Sequence, residues 1–440
     1  MATNRRNFIK KTTLAAAALG VAGSLKSAAF TGAPSDKINV ALIGARSMGF
    51  GILERHLETG IVNCVGLCDI DSNVLNNRAS DVQNRFQQKP RLYSDFRKLL
   101  EDKDIDAVII GTPDHWHCLL MTLACEAGKD VYVEKPMANS IEECNLMVKA
   151  ARKYNRIVQV GQQQRSGQQW QKVMEMIKTG EIGKLRKVNV WGNFRYGIGS
   201  PKVPDGEVPT GVDFDMWLGP APLRTFNAAR FHGSWRMFWD YGGGLITDWG
   251  VHLIDMALWA YDMKTPPEMT LATGKNLSFE SHAHETFDTM AVTWQHSDAI
   301  ITWENVAGIE QGPWDRSYGL AFVGDNATII VNRGGYKLIP EWDGSKNAPK
   351  REPAEETMQG ENHGNHVTNF LECVKSRKTP ACPPETGRAV AIAAHAANIA
   401  VRTGEYKLLW DESQQRFSNS QKANAMMAPA YRRPWNLPQI

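Results

Sequence analysis

The chain is 440 residues long, carries 50 basic against 47 acidic residues for a formal charge of +3, and is 42% hydrophobic. That length exceeds one ordinary core at roughly 150 residues per domain, so two domains are expected, and the balanced charge without a long basic block argues against a nucleic-acid partner. The seven cysteines (Cys64, Cys68, Cys118, Cys125, Cys144, Cys373 and Cys382) are odd in number and lack CxxC pairing, which excludes a disulfide scaffold or a zinc knuckle.

Residues 1–30 come first and read as an address. Arg5-Arg6-Asn7-Phe8-Ile9-Lys10 is close to the twin-arginine export pattern, departing from it at Asn4, where Ser or Thr usually stands. The apolar run 14–25 is mostly Ala and Gly, shorter than the roughly 20 residues needed to span a bilayer. Small residues at 26–30 offer a cleavage site. A twin-arginine signal peptide is therefore expected, with the twin-arginine translocase as a transient partner and a periplasmic or otherwise exported product.

From residue 36 to 161, short apolar runs alternate with amphipathic stretches, the pattern of βαβ units on a parallel sheet. Strands are expected at 39–43, 62–68, 107–110, 130–133 and 157–160, and helices at 116–127 and 140–154, the latter opened by Ser140 and Glu143 at capping-box spacing. After the first strand stands Gly44-Ala45-Arg46-Ser47-Met48-Gly49, in the place of a G-x-G-x-x-G dinucleotide fingerprint. Gly44 suits the tight turn, Gly49 close helix–strand packing, and the helix N-terminus, with Ser47 and Met48, faces a pyrophosphate. Arg46 replaces the second glycine, either displacing the phosphates slightly or contacting them through its guanidinium. Asp69 ends the second strand about 20 residues on, where it would accept from ribose hydroxyls and repel a 2′-phosphate. NAD is expected over NADP.

The pattern changes over 162–410. A helix with Val173, Met174 and Ile177 on one face precedes β-rich segments at 188–194, 289–294, 300–303, 320–323 and 328–331. Strands this close, with glycine turns between them, predict an α+β domain with a mixed or antiparallel sheet. Residues 340–362 read as a surface loop, helices are expected at 366–374 and 385–402, and 411–440 as an arm over the surface or a neighbouring subunit.

"GTPDHWH" at 111–117, "YVEKPMA" at 132–138, "VQVGQQQRS" at 158–166, "DMWLGPAP" at 215–222 and "WDYGGGLITDWGVHLIDMALW" at 239–259 together resemble the Gfo/Idh/MocA oxidoreductases, named after glucose–fructose oxidoreductase and inositol dehydrogenase. The resemblance implies an α/β architecture, an N-terminal doubly wound Rossmann domain followed by an α+β domain whose large open sheet mediates a homodimer or homotetramer. It implies sugars or polyols as substrates. It makes Lys135 similar to the family's catalytic lysine, and Asp248 and His252 to its Asp-x-x-x-His pair. Thr112, Pro113, His117, Glu134, Lys135 and Gln163 would line the cofactor.

Asp248, His252 and Asp255 lie at i, i+4 and i+7, one face of a helix. His252 would take the proton of a secondary alcohol, Lys135 would stabilise the developing alkoxide, and Asp248 would orient the imidazole or bind a neighbouring hydroxyl. Trp217, Trp235, Trp239, Trp249 and Trp259 concentrate around these motifs. Their faces could stack on a sugar ring or pack in the core, with Arg165, Arg230 or Arg236 supplying donors. The pairs His115/His117, His282/His284 and His363/His366 lack a third ligand, so no metal is expected.

An exported dehydrogenase has no external dinucleotide pool, and the twin-arginine route carries folded cargo, so tightly bound NAD is expected. It would be reset in place by a second substrate. A related branch, the NAD-dependent α-N-acetylgalactosaminidases, instead returns the hydride to the same sugar after elimination; "LITDWGVHLID" departs from that branch's motif, which ranks the redox reading first. A non-catalytic sugar-binding or sensing protein is the third reading, motivated by Arg46.

Overall fold

The computed structural model describes residues 37–358 and 363–440; the export signal read from residues 1–30 lies outside the described residues. The first domain alternates β1 (Ile38–Ile43), α1 (Ser47–Glu58), β2 (Val62–Cys68), α2 (Ser72–Phe86), β3 (Arg91–Tyr93), α3 (Phe96–Glu101), β4 (Ala107–Ile110), α4 (His117–Glu126), β5 (Asp130–Val133), α5 (Ile141–Lys153) and β6 (Val158–Val160). All strands pair in parallel in the order β3-β2-β1-β4-β5-β6, a doubly wound sheet whose strand order reverses between β1 and β4. β4 and β5 are buried throughout because helices cover both faces, which is why their sequences read as apolar runs rather than alternations.

Register aligns the chemistry. Ile43 pairs with Cys68 and with Ile110, and Ile110 with Val133. Gly44, Asp69, Gly111 and Glu134 therefore leave the same sheet edge side by side. Gly44 turns at φ +85°, where an added Cβ would lie 2.8 Å from the Gly111 carbonyl carbon, and a Cβ on Gly49 or Gly111 would collide with the backbone of Gly44 or Gly49. The three glycines let α1 start against the ends of β1 and β4. Replacing Gly111 with alanine should destabilise the protein by roughly 1–3 kcal/mol and weaken dinucleotide binding, read by urea unfolding and NAD titration.

The second domain opens with the helix Gln168–Lys178 and the strand Leu185–Gly192. Among the described residues its mixed sheet has ten strands, in the order Ala354–Thr357, Gly335–Pro340, Ala327–Asn332, Tyr318–Gly324, Leu185–Gly192, Ala299–Val306, Thr289–His296, Met269–Lys275, Lys407–Asp411 and Arg416–Phe417. One internal pair, Ile301–Glu304 with Val188–Trp191, is parallel. Burial alternates residue by residue along Ala299–Val306 and Met269–Lys275. Val251–Ala260 and Pro384–Thr403 pack on one face, and Leu271, Ile300, Glu304 and Val306 stand on the other, exposed.

Residues 354–357, expected inside a loop, form an edge strand paired with Gly335–Leu338. Its outward Glu355 and flanking Pro353 carry no apolar alternation, as suits a protected sheet edge. The arm after Asp411 folds onto its own chain: Tyr431 Oη donates to Glu143 (2.7 Å), Arg432 Nη1 to Asp215 (2.7 Å), and Trp435 packs edge-on against Trp116 at 5.0 Å.

His56, His115, His117, His366 and His395 are all lowered to about 4 by burial. The unfolded chain protonates them near 6.5, so the stability they contribute is complete above that value and is lost as pH falls toward about 4. Glu134 and Glu143, raised by burial to about 7, and Asp69, Asp114 and Asp255, also raised by burial, act oppositely, but with His232, His252 and His284 lowered as well the histidines outnumber these carboxyls eight to five among the described residues. The urea midpoint is therefore expected to fall between about pH 6.5 and 4.5; a flat profile would contradict buried neutral imidazoles.

Candidate active site

The edge that carries Gly44, Asp69, Gly111 and Glu134 opens into a cleft, whose far wall comes from Met216, Trp217, His232, Trp235 and Arg236 of the second domain. Arg46, Ser47 and Met48 are exposed at its mouth. Arg46 precedes α1 in extended conformation, without a side-chain hydrogen bond to the helix start. Asp69 Oδ2 accepts from the Ala45 N–H (2.7 Å) and Oδ1 from the Asp71 N–H (2.9 Å), which ties the glycine turn to the end of β2. Burial raises its pKa against the pull of these two donors. Thr112 and Pro113 also line the cleft.

A second chamber adjoins the first and shares Met48, Glu134, Lys135 and Arg236 with it. Its other walls include Gln163, Tyr196, Asp248, Trp249, His252, Arg333 and His363. The first cavity runs along the Rossmann edge where a dinucleotide binds, and the two cavities join at the residues they share.

Lys135 follows β5 and precedes a cis peptide bond to Pro136. Its Nζ donates to Asp248 Oδ1 (2.6 Å) and to the Asp248 carbonyl oxygen (3.1 Å). Arg236 Nε donates to the same Oδ1 (3.1 Å), and the Tyr196 hydroxyl to Oδ2 (2.6 Å). The pair is nearly sealed, with side chains 10% and 9% exposed. Burial alone would raise the Asp248 pKa, but Lys135, Arg236 and Tyr196 overcome it and hold the carboxyl well below its usual range. The carboxylate thus anchors two cations and a phenol.

Asp248 sits in a π-helical turn, Ile246–Gly250, ahead of the α-helix Val251–Ala260. The i, i+4, i+7 face expected from the sequence is kept for its first two members and lost at the third, which lies with His252 in the regular helix beyond the π turn. Asp248 and His252 reach the chamber, whereas Asp255 points into the core and is held by Arg165 through contacts of 2.7 and 2.9 Å. His252 packs edge-on against Trp249 at 5.7 Å, and its Nδ1 has no hydrogen-bond partner among the described residues. Burial, then Lys135 and Arg333, push its pKa far below 6.5. A neutral imidazole beside an ammonium can accept a hydroxyl proton while the ammonium steadies the oxygen left behind.

Four expected positions differ in the structure. Arg165, expected at the substrate, is committed to Asp255 and stacks over Trp259 at 5.1 Å, because the fully buried Asp255 carboxylate requires a cation. His117 lies behind the cleft floor: its nitrogens meet the carbonyl oxygens of Pro136 (2.8 Å) and Thr112 (3.0 Å), so it supports both loops without lining the cavity. Trp235 lines the dinucleotide cleft rather than the substrate chamber, and Gln163 the reverse, where it donates to Glu134 (2.9 Å). Among the described residues, no three His, Cys, Asp or Glu side chains gather as a metal site. Tyr196 and Arg333 come from turns, where no periodic signal announces them, and His363 opens the helix His363–Ser376.

Two family models match. Residues 38–162 match "Oxidoreductase family, NAD-binding Rossmann fold", and residues 167–437 match "Oxidoreductase family, C-terminal alpha/beta domain" of the Gfo/Idh/MocA group. A glycosyl hydrolase family 109 protein of Shewanella baltica is 30% identical over 202 residues, a match spanning 41% of this chain and 44% of that protein. The chain therefore aligns with less than half the length of that relative. The WlbA dehydrogenase of Bordetella pertussis, solved with NADH and UDP-GlcNAcA, superposes with a TM-score of 0.62 at 18% identity, over 85% of this chain and 99% of that one. A levoglucosan dehydrogenase, solved with NADH and levoglucosan, gives 0.64 at 17% identity over the same shares. The two matched domains, the six-stranded parallel sheet and the larger mixed sheet all agree: the chain belongs to the Gfo/Idh/MocA oxidoreductase family, and residues 38–162 are its NAD-binding Rossmann domain.

Proposed function

We propose that this protein is an exported oxidoreductase that moves hydride between a secondary hydroxyl carbon of a sugar or cyclitol and an NAD that stays bound. The observation that carries the reading is the cluster of Lys135, Asp248, Arg236 and Tyr196 beside His252, placed where the dinucleotide cleft and the second chamber meet. Bound in the cleft, NAD supplies the hydride acceptor. His252 takes the hydroxyl proton, Lys135 stabilises the oxygen as it becomes a carbonyl, and Asp248 holds Lys135 and Arg236 in place. Trp249, stacked on Phe194 at 4.6 Å, offers an apolar wall to the sugar ring.

The carbohydrate ligands of the WlbA and levoglucosan dehydrogenase crystals support the substrate class. Export rests on the twin-arginine pattern at residues 5–10, and a homodimer or homotetramer on the open face of the mixed sheet. A second reading, glycosidic cleavage through transient oxidation and elimination, is favoured by the glycosyl hydrolase family 109 relative.

One experiment separates them. The mature protein is purified without added nucleotide, its near-ultraviolet spectrum recorded, and sugars and aryl glycosides titrated in. Growth of the reduced-nicotinamide band supports the oxidoreductase; release of aglycone without net reduction supports the glycosidase. Protein that neither carries nor binds a dinucleotide rules out both.

A further inference from the structure

The far wall of the dinucleotide cleft belongs to the second domain in sequence but is fastened to the first. The Ser72 N–H donates to the Gly211 carbonyl (2.9 Å) and the Asp213 N–H to the Ile70 carbonyl (2.9 Å), which brackets a β-bridge between Asp71 and Val212. Asn73 Nδ2 adds a bond to the Thr210 carbonyl (3.1 Å). These bonds lie one to four residues beyond Asp69, at the end of β2 that reads the adenosine ribose in a Rossmann site.

Asp71 links the two parts of this wall. One oxygen caps α2 by accepting from the Asn73 N–H (3.0 Å), and the other accepts from His232 Nε2 (3.2 Å). His232 adopts φ +61°, a left-handed conformation that a side chain of its size rarely takes. The bond to Asp71 offsets that strain and holds the imidazole on the cleft. Farther along, the Trp217 carbonyl accepts from Trp116 Nε1 (3.2 Å), and Arg432 of the C-terminal arm grips Asp215 (2.7 Å) and the Gly219 carbonyl (3.1 Å). The wall is thus held at its start, its middle and its end. Met216, Trp217 and His232 line the cleft across from the glycine turn.

We infer that residues 210–217 and His232 form a retaining wall over the adenosine half of the dinucleotide, which must detach before the cofactor can leave. The inference rests on the proposed NAD-dependent function and extends it: His232 is a cofactor-binding residue supplied by the second domain, and retention is built into the fold. A protein whose dinucleotide must survive export and many turnovers needs a slow release step.

The test measures how fast labelled NAD, added in excess, replaces the dinucleotide carried by the purified holoprotein. Three variants are compared with wild type. Asn73→Ala removes one exposed hydrogen bond and should fold normally. Gly211→Val forces a left-handed residue at φ +88° to carry a Cβ 2.6 Å from Ser72 Oγ. His232→Ala removes the side chain on the cleft. Release should accelerate at least about tenfold in Gly211→Val and His232→Ala and severalfold in Asn73→Ala, while the unfolding midpoint of nucleotide-free Asn73→Ala stays at the wild-type value. Holoprotein variants that all exchange at the wild-type rate would overturn the retaining wall while leaving the NAD-dependent function intact. Wild type that never takes up a dinucleotide would overturn that function, and the wall with it.

Discussion

Replacing Asp248 with alanine is expected to lower turnover by about 10²–10³-fold and to cost about 3–5 kcal/mol of stability. The two losses share one cause. Asp248 is the anion on which Lys135 and Arg236 converge, and its removal leaves two cations facing each other in a nearly sealed site. Lys135 would then swing away from the position where it stabilises oxygen. Replacing Lys135 with methionine should cost comparable turnover but much less stability, since Arg236 and Tyr196 still satisfy the carboxylate. Turnover under saturating sugar and urea unfolding would be measured on both variants. Wild-type turnover in the alanine variant would remove Asp248 from the mechanism.

Replacing His252 with alanine should reduce turnover by about 10²–10⁴-fold with little change in dinucleotide binding, because the ring lines the second chamber and not the cleft. The pH profile carries an independent signature. Burial and the neighbouring Lys135 and Arg333 hold His252 well below 6.5, so it is already neutral there and no acid limb near that value is expected from it. A limb near 7 would instead report Glu134, whose carboxyl is raised by burial to about 7 at the seam of the two cavities, and it should vanish in Glu134→Gln. An acid limb near 6.5 that persists in Glu134→Gln and disappears with His252 would contradict the neutral, cation-flanked imidazole described above.

Much of the first domain was legible because its signals are short-ranged. Ala107–Ile110 and Asp130–Val133 have the bounds expected from their apolar runs, since a strand covered on both faces needs nothing else. Ser140 caps α5 as its spacing with Glu143 implied. The edge strand at Ala354–Thr357 was illegible for the opposite reason: a protected edge is polar, and polar residues also make loops. Lys135, Asp248 and His252, read from motifs, converge on one chamber, but Tyr196 beside them had no signal, because a single tyrosine in a turn has no period and no spacing. Arg165 was misplaced because sequence shows an available cation without showing the buried carboxylate that claims it.

The sequence by itself determined the alternation of strands and helices, the glycine turn and the acid that follows it, and hence a dinucleotide edge, because each depends on residues within one βαβ unit. Only the tertiary structure decided that Lys135 meets Asp248 across 113 residues, that His252 faces the chamber while Asp255 is claimed by Arg165 in the core, and that His232 reaches back to Asp71. Those contacts join segments distant in the chain, and their geometry is set by how two domains pack rather than by any local preference of the residues involved.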